Sequence, residues 1–184
     1  MGFEVKAASL RAHVKWLARE KKLEAVLARV PPAVAELARN PPLASTWIDS
    51  LQIEPIMNAL QELDGTQAVL RMSREELRAD LIAPLRGMIS GVLRLFGTSP
   101  ATVYPRMNDM VKTSVRGMDF RFDRQFDRAG VMEVGYDVER EIPFCMFVSC
   151  TAALEMVLEL CSVQGRVSDP ERIDRATARF RISW

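Results

Sequence analysis

The sequence predicts an α+β fold: a helical layer packed on a small twisted antiparallel sheet, with the strands mainly in the C-terminal third. Three observations predict it. Apolar residues recur at helical spacing through the first two thirds of the chain, the period changes to two at Gly117, and an apolar run over 143–163 separates two early strands from a last one. The 184 residues are expected to form a single domain, helical over about 8–116, with a hairpin, a crossover helix and a closing strand over about 118–184.

Each element has its own signal. In "SLRAHVKWLAREKK" Leu10, Val14 and Leu17 form one stripe behind a Ser9 cap, with Arg11, Lys15 and Arg19 opposite. Leu23 to Val30 continues helically until Pro31 and Pro32, which stop it and open the next short helix, "AVAELARN". Pro41 and Pro42 end that one. "EPIMNALQELDG" places Ile56, Leu60 and Leu63 on one face, with Gly65 as terminator. "SREEL" carries a Ser-x-x-Glu capping box at Ser73 and Glu76, which predicts a helix start there. A long apolar face then runs through Leu77, Leu81, Leu85, Met88, Val92, Leu95 and Phe96, bent at Pro84 and open to close approach at Gly87 and Gly91. "TSPATVYPRMNDMVKTSVRG" reads as one more helix, capped by Thr98 or Ser99.

Beyond Gly117 the alternation is that of strands. "MDFRF" sets Met118, Phe120 and Phe122 against Asp119 and Arg121, and "VMEVGYDV" sets Met132, Val134, Tyr136 and Val138 against Glu133 and Asp137. "DRAG" between them turns the chain. "RATARFRISW" alternates five apolar residues with Arg175, Thr177, Arg179, Arg181 and Ser183, so its arginines can face Glu133 and Asp137 across the sheet. The run over 143–163 is the crossover helix, with Phe147, Leu154, Val157, Leu158 and Cys161 as its buried side.

Composition excludes several functions. Hydrophobic residues make up 48% and charged residues 27% of the chain, as in a globular protein. With 25 basic and 24 acidic residues interspersed, there is no basic footprint for nucleic acid or an anionic membrane. Ser149, Thr151, Glu155 and Glu159 interrupt the best apolar run, so no membrane span is expected. "MGFEVKAASL" lacks the features of a signal peptide, and Lys6 stands where an N-terminal acylation motif needs Ser or Thr. Three cysteines cannot complete a disulfide framework, so reduced thiols and a cytoplasmic location are expected.

No catalytic constellation emerges. The single histidine, His13, sits on a helix flank beside Leu10 and Val14, where a structural role is expected; no nucleophile elbow and no Gly-rich phosphate loop is present. Glu75 and Glu76 suit the positive end of a helix. "DFRFDRQFDR" interleaves phenylalanines and arginines as a stacking surface for single-stranded nucleic acid would, but its aspartates cancel the charge. The cysteines of "FCMFVSCTAALEMVLELC" point in different directions around a helix, so no metal site is expected from them. Cys145, in the first turn after Pro143, is the one thiol whose pKa the helix dipole would lower.

The stretches "GVLRLFGTSPATVYPRMNDMVKTSVRGM", "AGVMEVGYDVER", "PFCMFVSCTAALEMVLELCSVQG" and "ARFRISW" resemble a family of paralogous, uncharacterised myxobacterial proteins. That family is in turn similar to the superfamily of heme NO-binding domains, 4-vinyl reductase domains and TRAPP small subunits. The resemblance implies helices on a twisted antiparallel sheet, an internal apolar cavity, and sensory or scaffold duties. It does not carry over the heme histidine on a central helix, the Tyr-x-Ser-x-Arg element or the acylated cysteine, since no residues here match them. The function expected is a non-catalytic cytoplasmic signalling or scaffold module that binds a protein partner, with a homodimer through its helices and no cofactor. The alternative is a sensor of an apolar small molecule, held between the cysteine helix and the long helix by Met88, Phe147, Met156 and Cys145. A thiol-dependent enzyme acting through Cys145 is a third class.

Overall fold

The computed structural model describes residues 2–78 and 99–184. Strand β1 (Glu4–Lys6) runs directly into α1 (Ala7–Arg19), whose buried Leu10, His13 and Leu17 follow the predicted stripe. Lys6, not Ser9, occupies the N-cap. Ser9 is the third residue of the helix and makes a tertiary contact instead. α2 (Leu23–Leu27) is short, and α3 (Pro32–Arg39) begins on Pro32, whose fixed φ and missing N–H suit a first helical position.

β2 (Trp47–Asp49) leads through a 3-10 turn, Ser50–Gln52, into α4 (Glu54–Asp64). Gly65 then adopts φ +77°, a conformation open to glycine, and ends α4 as it opens α5 (Thr66–Glu76). The capping box at Ser73 and Glu76 therefore does not start a helix. Ser73 is buried within α5, where the backbone is already paired, and the Glu76 carboxylate binds α1 side chains. The long apolar face at 81–96, including Met88, Pro84, Gly87 and Gly91, lies outside the described residues.

The helix predicted at 98–117 is broken into pieces. Ser99 accepts from the Ala101 N–H and caps α6 (Pro100–Val103); a 3-10 turn at Tyr104–Arg106 contains Pro105, and α7 (Met107–Val111) follows. β3 (Val115–Arg116) joins β1 and β2 in a three-stranded antiparallel sheet of order β2-β1-β3. Sequence patterning missed this sheet, because strands of two or three residues are too short to display a period. The cations of Lys6 and Arg116 each lie 4.0 Å from the centre of the Trp47 ring of β2.

Gly117, at φ +72°, turns the chain into the second sheet; a Cβ there would stand 2.7 Å from the Gly2 carbonyl oxygen. β4 (Met118–Phe126) and β5 (Ala129–Tyr136) form the expected hairpin. β8 (Thr177–Ser183) pairs with β5, and β6 (Arg166–Val167) and β7 (Glu171–Arg172) both pair with β8. The register sets Glu133 opposite Arg179, and the predicted ion pair forms at 2.8 Å. Between hairpin and β8 runs α8 (Phe144–Leu160), with Phe147, Leu154, Val157, Leu158 and the adjoining Cys161 all buried. α8 packs against α5 on one side. On another, Phe147 meets Tyr136 of β5 edge to face at 5.5 Å.

Candidate functional site

The site is built where α1 crosses α5. Ser9 and His13, four apart, share one face of α1; Ser73 and Glu76, three apart, share one face of α5. Packing of the two helices brings the four side chains together. Ser9 Oγ donates to Glu76 Oε1, and His13 Nε2 pairs with Glu76 Oε2 at 2.7 Å. His13 is 2% exposed and Ser73 2% exposed, yet His13 Nδ1 and Ser73 Oγ have no hydrogen-bond partner among the described residues. Outside this cluster, the Trp16 indole and Arg19 both donate to Glu75, at 3.2 and 2.6 Å, and fix the crossing. The Arg19 guanidinium holds the Glu75 carboxyl below its ordinary range.

These four residues form one pole of a partly open pocket of about 160 Å³. The rest of the wall is mostly apolar, with Ser50, Ser114, Tyr136, Ser149 and Cys150 as polar exceptions. Phe3 and Val5 close it at the small sheet, Met118 and Phe120 at the large one, and Met57 of α4 from a third side. α8 contributes Met146, Ser149, Cys150 and Ala153, which fall on one stripe at 100° per residue. Lys6 also borders the cavity, but its ammonium is engaged outside, over Trp47 and on the Ser45 carbonyl at 2.6 Å.

The three thiols are buried and neutral. Cys150 donates to the Met146 carbonyl at 3.2 Å, and the Tyr136 hydroxyl lies 3.2 Å from its sulfur. Burial pushes the Cys150 and Cys145 thiols up to about 12, and Cys161 to about 11. For Cys145 this reverses the sequence expectation. Loss of water around the sulfur, followed by the nearby Glu54 carboxylate, outweighs the backbone hydrogen bonds of the first helical turn. Glu54 is itself buried and held by Arg140 through bonds of 2.6 and 2.7 Å, with Ser50 donating to it at 2.7 Å.

Of the residues expected to line a ligand site, Met88 lies outside the described residues. Cys145 and Met156 flank the cavity stripe of α8 on one side and Phe147 on the other; all three are buried, and none borders the hollow. The residues that make its polar pole were read instead as a structural histidine and a helix start. Their spacing held the missing signal: Ser9 with His13 and Ser73 with Glu76 each put two polar groups on the inward side of an amphipathic helix. Among the described residues no helix is long and apolar enough to cross a membrane, and no three His, Cys, Asp or Glu residues assemble as a metal set.

No family model and no curated protein matches the sequence. Solved structures do match the fold. An H-NOX protein from K. algicida in its Fe(II) unliganded form superposes with a TM-score of 0.67 at 6% identity, over 97% of this chain and 95% of that one. An H-NOX structure from work on heme distortion gives 0.61 at 13% identity, over 97% and 94%. A mutant of T. tengcongensis H-NOX gives 0.60 at 12% identity, over 97% and 96%. The chain thus has the H-NOX fold, and at such identities the likeness carries the fold alone.

Proposed function

We propose that this chain is a non-catalytic sensor module whose internal cavity receives a small apolar molecule, and that occupancy is passed to a protein partner. The observation that carries this reading is the apolar cavity of about 160 Å³ between α1, α5, α8 and the two sheets. A buried apolar cavity of about 150 Å³ stays dry and takes up benzene or xenon, so a hollow of this size favours a ligand of one or two rings. The polar cluster is not arranged as a nucleophile system. The Ser9 hydroxyl donates its hydrogen bond to Glu76 and not to His13, and the thiols are neutral, so nothing activates either nucleophile.

Several H-NOX structures concern heme, and the residues present here can be matched against its needs. A heme iron takes an axial ligand from His, Cys, Met or Tyr. All of the chain's His, Cys and Tyr residues are described, and most are committed elsewhere. His13 Nε2 is held by Glu76, the thiols keep their protons, Tyr104 donates to the Leu154 carbonyl at 2.9 Å, and Tyr136 is engaged with Cys150. His13 Nδ1 is unengaged, but it stands at a hollow well below the ~300–1,000 Å³ of pockets for drug-sized ligands, and a porphyrin is larger than most of those. The His, Cys and Tyr residues therefore offer a heme no axial ligand in a hollow of its size.

Native mass spectrometry and an absorption spectrum, recorded on freshly purified protein and again after incubation with hemin, test the reading. The expected result is no Soret band in either state and a bound mass below about 200 Da, matching a ligand of one or two rings. Stoichiometric heme uptake with a ligated spectrum would overturn it.

A further inference from the structure

Strand β4 is an edge of the large sheet, with β5 as its one neighbour there. Such an edge presents a row of backbone N–H and C=O groups on which a further strand can assemble. At Phe120 both groups are taken by a side chain. Asn108 of α7 accepts from the Phe120 N–H at 2.8 Å and donates to the Phe120 carbonyl at 3.1 Å, the double exchange that an opposing residue makes in an antiparallel ladder. Its amide also donates to Asp119 at 2.8 Å. By alternation the backbone groups of Phe122 and Arg124 point the same way, and among the described residues nothing meets them. The outer half of the strand is open: Arg121 and residues 123–126 are exposed.

We propose that Asn108 guards an interface with a second copy of this chain: it holds the place on β4 that the β4 of that copy takes across a two-fold axis at Phe122. The charges of the strand fit this register. With the axis at Phe122, Arg121 stands opposite Asp123 of the second copy, and the symmetry repeats the pair on the other side. Asp123 has no ion-pair partner among the described residues, and the 79% exposed Arg121 side chain meets only Asp119 of its own strand. Moving the axis by one residue sets Asp123 against Asp123 or Arg121 against Arg121, like charges directly opposite. The favoured register needs the Phe120 backbone of each copy to meet Arg124 of the other. Asn108 occupies that backbone, so its side chain must swing away before two copies can pair.

Sedimentation and amide hydrogen exchange on the full chain test this. In the wild type the Phe120 amide should exchange slowly and those of Phe122 and Arg124 fast; a Phe120 amide as fast as its neighbours would overturn the guard without any variant. Asn108 is exposed on a helix, so Asn108→Ala is expected to fold. That variant should double its sedimenting mass as concentration rises, with the Phe122 and Arg124 amides becoming protected. Adding Asp123→Arg should return it to a monomer, because arginines then face each other, and adding Arg121→Asp as well should restore the dimer. An Asn108→Ala chain that stays monomeric, a dimer that leaves both amides fast, or one indifferent to Asp123→Arg would overturn the proposal.

Discussion

Helix α8 has a packed side and a hollow side. Phe147, Leu154 and Leu158 form one stripe; Phe147 and Leu154 are fully buried, and Phe147 meets Tyr136 edge to face with the Arg172 guanidinium 5.2 Å from its ring centre. Met146, Cys150 and Ala153 form another and face a void. Met146 and Cys150 are as buried as the packed stripe, whereas Ala153 is only partly buried. What differs is whether atoms stand opposite: a side chain facing a gap gives up the dispersion contacts that close packing supplies. One side of the helix thus carries stability, and the other leaves room for something that is not protein.

Truncation on the packed side gives the largest effect. Phe147→Ala is expected to cost about 3–5 kcal/mol in urea unfolding, since it loses a fully buried ring and leaves a cavity that its neighbours cannot refill. A loss below about 1 kcal/mol would mean that the two sides do not differ as described.

Titration comes next, and here a thiol of the hollow stripe and one on its flank should behave alike. Cys145 and Cys150, each pushed up to about 12 by burial from an ordinary value of 9.0, stay protonated in the fold where the unfolded chain ionises. Their contribution is fully present below pH 9 and lost as the pH rises from there toward 12. At pH 10 each should reduce stability by about 1 kcal/mol relative to pH 7. Urea curves of the wild type and of Cys150→Ala across this range measure the difference, and an unchanged slope in the variant would remove Cys150 from the account.

The smallest effect is expected on the hollow side, and with opposite sign. Ala153→Leu adds methylene groups where there is space, so the chain should be as stable as the wild type or up to about 1 kcal/mol more stable. Uptake of benzene or xenon should disappear. The same substitution in a fully packed core would cost about 1–3 kcal/mol, so a destabilisation of that size would show that the hollow is already filled by side chains.

The sequence conveyed the packed side far better than the hollow one. The hairpin, the closing strand and α8 were legible because each runs long enough for its period to appear, seven to seventeen residues in the structure. β1, β2 and β3 were not, and β1 and β3 supply part of the cavity wall through Phe3, Val5 and Val115, in and beside strands of two or three residues. The Ser73–Glu76 box was misleading. The helix had already started at Thr66 beyond Gly65, so a local capping pattern was free for a tertiary use. The polar pole joins residues more than sixty positions apart, Ser9 to Glu76 and His13 to Glu76, and no local rule links them. A void is harder still to read, because it is set by the atoms that do not meet.

The most direct test of the central claim, a ligand-sized apolar hollow within an H-NOX fold, is a crystal structure of the chain pressurised with xenon. The account predicts a xenon peak in the cavity beside Phe120, Met146 and Ala153, and its loss in Ala153→Leu. A cavity that admits no xenon, or one filled by ordered waters bonded along its length, would contradict it.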